Sequence, residues 1–235
     1  MISTIKSKKR NLFAGTTGVN IFINVKSYVD LKPYRIETIE ECDNVYLDGF
    51  LLPLLLRPII GRINRISFDY TSIAGSVFKE CESSGKTVFI CGSTNENVSH
   101  FCKKIKSEFP LLNIIGKENG YFINSEKRKE TIKKIKEKKP DVLIVGMGSP
   151  LQELFIRDVN PKGWSGTAFT CGGFIHQHAS VSSKNYYPYI FNKLNLRWLF
   201  RCMKEPKLLI RYFIDYPVFV KEIVKDELIW MLEKK

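Results

Sequence analysis

The stretch Pro140 to Arg157, P-D-V-L-I-V-G-M-G-S-P-L-Q-E-L-F-I-R, decides how the rest of the chain is read. Val142 to Val145 is a short unbroken apolar run, which suits a parallel strand covered on both faces better than a half-exposed one. The run stops at Gly146-Met147-Gly148-Ser149-Pro150, and a helical pattern resumes at Leu151 with Leu154 and Phe155 on one face. Pro150 suits the first turn of a helix, where a missing N–H costs nothing, and Ser149 suits the N-cap. Strand, glycine turn and helix N-terminus in succession leave backbone N–H groups and a positive dipole end for an anionic ligand. Gln152 and Glu153 fall in that first turn, so Gln152 is placed to reach whatever sits at the strand end. The junction alone is equally compatible with a plain tight turn.

On either side of it, strand-like and helical runs alternate at short intervals. Asn20 to Val25 reads as the first core strand, with Asn24 near its end. Asn44 to Leu47 leads into Asp48-Gly49, a carboxylate at the end of a strand, where α/β sheets bind their ligands. Asp48 is the best general-base candidate, yet Asp-Gly is also among the commonest turn pairs, and the residues support both readings. Leu51 to Ile60 is apolar but holds Pro53 and Pro58, which suggests a broken helix or a wall. Arg65 then precedes a helix expected over Thr71 to Ser83.

Thr87 to Cys91 is a second buried-type strand and runs into Gly92-Ser93-Thr94-Asn95 ahead of a helix reaching Glu108. That junction could also seat a phosphate or ribose, but it lacks both the dinucleotide G-x-G-x-x-G spacing and the G-K-[ST] of a P-loop. A strand is expected over Pro110 to Gly116 and a turn at Asn119-Gly120. The lysine-rich segment 126–139 reads as a solvated helix held by Ile132 and Ile135. Ala168 to Phe174 holds a last strand ending on Gly172-Gly173. The fold expected is α/β, a doubly wound, mainly parallel Rossmann-like sheet.

Bulk properties narrow the function. With 235 residues, 44% of them hydrophobic, the chain can bury one good core. It has no run of about 18 apolar residues for a spanning helix and no apolar signal-peptide core after Met1, so a cytoplasmic protein is expected. Its 6 cysteines form no C-x-x-C pair and read as thiols of a reducing compartment. A net charge of +13 favours a polyanionic partner: nucleic acid, an anionic membrane face or a phosphorylated substrate. From Lys184 onward the chain is dense in aromatic and basic residues, the pattern of short basic amphipathic helices. Such helices pack on a core, lie on an anionic membrane or reach over a site to grip phosphate, and interleaved aromatics also suit single-stranded nucleic acid. The expected division is an α/β catalytic domain over 1–183 and a basic helical appendage over 184–235.

Taken in order, these pieces resemble the WecG/TagA/CpsF family of bacterial glycosyltransferases. The matching features are the strand ending in Asn24, Asp48-Gly49, Arg65 ahead of a helix, and Val88 to Gly92. They continue with Pro110 to Phe122, the G-x-G-S-P-x-Q-E string, Gly172-Gly173, and the Leu196 to Tyr212 tail. The resemblance implies an inverting, metal-independent transfer of an N-acetylmannosamine-like or related hexose from a UDP-sugar to a polyprenyl-diphosphate-linked sugar. It also implies peripheral attachment to the inner face of the membrane and a role in surface polysaccharide, capsule or teichoic acid synthesis. No cofactor, metal or nucleic acid is implied, and a homo-oligomer is left open. The absence of a D-x-D pair, which would hold a divalent ion on a nucleotide diphosphate, agrees with that chemistry.

Carried over by position, Asp48 is the base that deprotonates the acceptor hydroxyl. Asn24 and Gln152 bind sugar or nucleotide, the turn with Gly146, Gly148 and Ser149 sits against UDP, and Gly92 and Gly173 are further substrate-binding positions. Arg65, with Arg201, Lys207 and Arg211 from the tail, meets diphosphate charge. Relatives usually follow the paired glycines with an aspartate, a glycine and R-A-P, where this chain has His176, Ser180 and Tyr186-Tyr187-Pro188. Their L-E-W is here Leu196-Arg197-Trp198. The residues alone leave two alternatives: a nucleotide-binding Rossmann-like enzyme of another class, and a basic nucleic-acid-binding module.

Overall fold

Six parallel strands form one sheet in the order β2-β1-β6-β5-β3-β4. They are β1 (Gly18–Ile23), β2 (Asn44–Leu47), β3 (Thr87–Gly92), β4 (Asn113–Glu118), β5 (Val142–Gly146) and β6 (Thr167–Thr170). The computed structural model describes residues 18–49, 51–61, 65–159, 166–180, 188–194 and 196–233. The helices that connect the strands are α1 (Val25–Asp30), α2 (Arg35–Glu41), α3 (Leu51–Ile60), α4 (Ala74–Ser83), α5 (Asn95–Glu108), α6 (Ser125–Lys138) and α7 (Leu151–Val159). After β6 come α8 (Phe174–Ala179), α9 (Tyr189–Lys193), α10 (Arg197–Lys204) and α11 (Lys207–Glu233).

The period-2 alternation of strand side chains sorts the apolar residues into two layers. Ile21, Ile23, Phe89, Cys91, Leu143 and Val145 face a layer built by Tyr28 of α1 and Leu31 just after it, Ile39 of α2, Ile135 of α6 and Phe155 of α7. Phe22, Tyr46, Val88, Ile90, Ile144 and Phe169 face the other, built by Phe78 of α4, Phe101 of α5 and Phe174 of α8. Every residue of β5 is buried, which is why its sequence is uniformly apolar instead of alternating. Between β1, β2 and β6 the layer is pinned by a polar knot. Asn20, fully buried, donates to the Ala168 carbonyl at 3.2 Å and accepts from Asn44 Nδ2 at 3.0 Å.

Several boundaries differ from the sequence reading. The edge strand β4 starts at Asn113, because Pro110 and Leu111 turn off the end of α5, and it runs on through Lys117 and Glu118, whose polarity an edge strand tolerates. The helix α4 starts at Ala74, after a turn in which Asp69 accepts from Thr71 N at 2.8 Å. Leu51–Ile60 is one continuous helix despite Pro58, since burial of Leu52 and Leu56 outweighs a single missing backbone hydrogen bond. Residues 1–17 and Tyr186-Tyr187 lie outside the described residues.

The tail is longer and more integrated than a set of short helices. α11 spans 27 residues and packs against α1. Phe219, fully buried, stands edge-on to Tyr28 with ring centroids 5.0 Å apart, and Glu222 accepts from Lys32 Nζ at 2.6 Å. Phe219→Ala should therefore cost about 3–5 kcal/mol, the usual range for emptying a buried aromatic site. Urea denaturation followed by fluorescence checks this. A loss under 1 kcal/mol would mean that α11 is a loosely held appendage, with no share in the core.

Candidate functional site

The connections after β3 and β5 leave in opposite directions, β3 toward the edge strand β4 and β5 toward β6. Such a reversal opens a crevice at the carboxyl ends of the two strands. Gly92 and Gly146 are register partners there, and a side chain on either would not fit. A Cβ on Gly92 would lie 2.3 Å from Gly146 O, and one on Gly146 would lie 2.8 Å from Cys171 Sγ. Ser93 adopts a left-handed conformation with φ 56°. From it Ser93 N donates to Gly146 O at 3.1 Å and Ser93 O accepts from Gly120 N at 2.9 Å, so the turns after β3, β4 and β5 are laced together. Gly148 and Gly172 also take positive φ, but nothing lies within 4 Å of where their side chains would be. Both turns thus offer bare backbone to the crevice.

Asp48 ends β2 at the same edge of the sheet. Its Oδ1 accepts from Gly49 N at 2.6 Å and meets Arg65 Nη2 at 3.2 Å, and Arg65 also pairs with Asp69 at 3.0 Å. The sequence reading placed Asp48 and Arg65 in separate roles; the fold brings them into contact, because Ile66 N donates to Leu47 O at 3.0 Å and lays that segment beside β2. Asn24 lies next to Gly49, with its Cβ 3.9 Å from the position a Gly49 side chain would take. Its Oδ1 caps α1 by accepting from Ser27 N at 3.0 Å in a capping box, and that hydrogen bond fixes the side chain at the edge of the site.

Gln152 does reach the neighbouring strand end. Its Oε1 accepts from Gly172 N at 3.0 Å, and its Nε2 donates to Glu153 Oε1 at 2.9 Å. Ser149 does not cap α7: its hydroxyl is buried beside Glu153 and makes no aligned hydrogen bond among the described residues. The Ser149-Pro150 peptide is cis. Gly173 follows in the turn that opens α8. Cys91 in β3 and Cys171 after β6 are buried, and burial raises both thiols well above their ordinary value.

His176 and His178 part company. His176 is exposed, with Nδ1 3.0 Å from Asn97 Nδ2, which also donates to Ser93 Oγ at 3.1 Å. His178 is buried against the rings of Tyr70, Phe101 and Phe174 and sits 3.7 Å from Glu108. Asn97 escaped sequence reading because its partner is 79 positions away and only α5 against α8 joins them. The side chains of Arg201, Lys207 and Arg211 lie outside the described residues.

A parallel sheet with glycine turns, a strand-end carboxylate and an arginine along one carboxyl edge defines an α/β enzyme that binds substrates across the strand ends. The chain belongs to the Glycosyl transferase WecG/TagA/CpsF family, which it matches over residues 2–231. It is 36% identical over 213 residues to a UDP-Gal:alpha-D-GlcNAc-diphosphoundecaprenol beta-1,4-galactosyltransferase of Shigella boydii, covering 90% of this chain and 88% of the relative. It is 28% identical over 234 residues to an N-acetylglucosaminyldiphosphoundecaprenol N-acetyl-beta-D-mannosaminyltransferase of Staphylococcus aureus (strain MW2), covering 96% and 86%. Membership selects the transferase among the readings the residues left open. The surface-polysaccharide and undecaprenyl-diphosphate context expected from the motifs agrees with these names.

Proposed function

We propose that the protein moves a hexose from a UDP-sugar to the sugar of an N-acetylglucosaminyl-diphosphate lipid, by a single inverting displacement. The observation that carries this is the Asp48–Arg65 pair standing on the same carboxyl edge as the open turns at Gly148 and Gly172. In this reading the diphosphate of UDP lies against the Gly146–Pro150 turn and the start of α7, where backbone N–H groups and the helix dipole favour anions. Asp48 takes the proton of the acceptor hydroxyl as that oxygen attacks the anomeric carbon. The anomeric bond to UDP breaks on the opposite face, and the leaving diphosphate is met by N–H groups, by Arg65, and by Arg201, Lys207 and Arg211 brought over from the tail. The missing D-x-D motif supports neutralisation by these groups without a metal. Galactose is the favoured donor sugar over N-acetylmannosamine, because the galactosyltransferase is the more similar of the two relatives, 36% against 28%.

Among the described residues no helix is long and apolar enough to cross a membrane. The outer side of α11 nevertheless exposes Ile210, Phe213, Val220, Val224 and Leu228, flanked by exposed Lys221 and Lys225. That combination supports peripheral docking on an anionic bilayer, which is where a lipid-linked acceptor is found.

Thermal unfolding with UDP, with ADP and GDP as controls and EDTA throughout, tests the donor site. UDP at a hundredfold excess over its Kd should stabilise the protein by about 2.7 kcal/mol. The purine nucleotides should shift it little. Equal shifts with ADP or GDP, or no UDP shift in the EDTA present throughout, would overturn the metal-independent uridine site. Transfer of radiolabelled galactose from UDP-galactose to a short-chain lipid-diphosphate acceptor then tests the sugar.

A further inference from the structure

Glu153, in the first turn of α7, is only 3% exposed, as is Gln152 beside it. An ionised carboxylate at that depth is costly unless a cation meets it. Among the described residues no cation does. Its Oε1 accepts from Gln152 Nε2 at 2.9 Å, and the Ser149 hydroxyl lies beside it. Oε2 and Ser149 Oγ are both buried without an aligned partner.

This arrangement links the two turns that frame the crevice, from Ser149 through Glu153 and Gln152 to Gly172 N, where the last bond is 3.0 Å. A glutamine amide can sit either way round, and the wrong way would point its Nε2 donors at the Gly172 N–H. The Gly172 N–H at one end and the Glu153 Oε1 acceptor at the other together select the orientation seen. We infer that Glu153 is a positioning residue for the transfer reaction, locking the Gln152 amide so that its carbonyl holds the Gly172-Gly173 turn in register with the Gly146–Pro150 turn. Burial above all, with the like charge of Asp30, raises the Glu153 pKa against the smaller opposing effects of Gln152, its own N–H and Ser149. Burial with no cation beside it favours the neutral form of Glu153, whose Oε1 accepts from Gln152. The catalytic consequence rests on the function proposed above; the locking of Gly172 does not.

Glu153→Gln keeps an uncharged oxygen for Gln152, whereas Glu153→Met fills the space and offers none. The test compares both with the wild type by hydrogen–deuterium exchange over residues 171–179, UDP affinity, and kcat for sugar transfer. Glu153→Met should speed exchange at Gly172 about tenfold, the loss of roughly one hydrogen bond. It should lower kcat by about 10- to 100-fold through misplacement of the turn. Glu153→Gln should stay within about threefold of wild type in each. Wild-type exchange in Glu153→Met overturns the inference, and so does Glu153→Gln failing as badly as Glu153→Met, which would mean that the charge is what matters. If the wild type neither binds UDP nor transfers sugar, the functional reading falls while exchange at Gly172 still decides the role of Glu153. Should Glu153→Met not accumulate, Glu153→Asp, an acid withdrawn by one methylene from Gln152, is expected to show the same faster exchange.

Discussion

Asp48→Asn should lower kcat for sugar transfer by about 10²–10⁴-fold, the contribution usual for a positioned general base. It should leave thermal stability and UDP affinity near the wild type. The substitution is nearly isosteric, and its Oδ1 can still accept from Gly49 N, a bond of 2.6 Å in the native protein. Arg65 stays anchored through Asp69 at 3.0 Å, so loss of the 3.2 Å contact to Asp48 does not set it loose. What the amide cannot do is take a proton. Steady-state kinetics at saturating donor and acceptor separate the roles. A kcat within about threefold of wild type with a raised KM would make Asp48 a binding residue and would leave the base unassigned.

The parts of this fold that could be read from sequence are those where local pattern and tertiary environment agree. β3 and β5 were visible as apolar runs because helices cover both of their faces, and the lysine-rich α6 because Ile135 is buried while its lysines stay in water. β4 was misplaced since an edge strand has only one neighbour, β3, to oblige its residues to be apolar. The extent of α11 was hidden for a different reason. Its buried side mixes Asp215 and Glu222 with Phe219 and Ile223, and its outer side is apolar, so no single stripe marks the face that packs. In the site, single residues were legible and pairs were not. Asp48 and Gln152 stand out by their position after a strand, whereas Asp48 with Arg65 and Gln152 with Gly172 depend on which segments the sheet sets side by side. Glu153 reads in sequence as an ordinary acid of a first helical turn, and its burial and its bond from Gln152 become visible only in the fold.

Gly92→Ala should destabilise the protein by about 3 kcal/mol or more, at or beyond the upper end for overpacking, because the new methyl group meets backbone and not a side chain that can swing away. Its Cβ would lie 2.3 Å from Gly146 O, 2.7 Å from Gly146 C and 2.8 Å from Gly146 Cα. Relief requires parting β3 from β5 at their last register pair, which also breaks the 3.1 Å bond from Ser93 N to Gly146 O that laces the turns. Urea denaturation should show a lowered midpoint with an unchanged slope, the mark of lost stability in an otherwise intact cooperative unit. Gly148→Ala provides the contrast. There φ is +76° but no atom lies within 4 Å of the new Cβ, so the cost is the left-handed conformation alone, about 1–2 kcal/mol. Under the proposed function that methyl group would crowd the diphosphate, and UDP affinity should fall about tenfold, equivalent to about 1.4 kcal/mol. The pair separates two reasons for a glycine at a strand end: at Gly92 the close approach of the neighbouring strand, and at Gly148, under the proposed function, room for the ligand. A Gly148→Ala protein that binds UDP as the wild type does would move the nucleotide away from the β5–α7 turn, and a Gly92→Ala protein of native stability would show that the switch point is looser than its register implies.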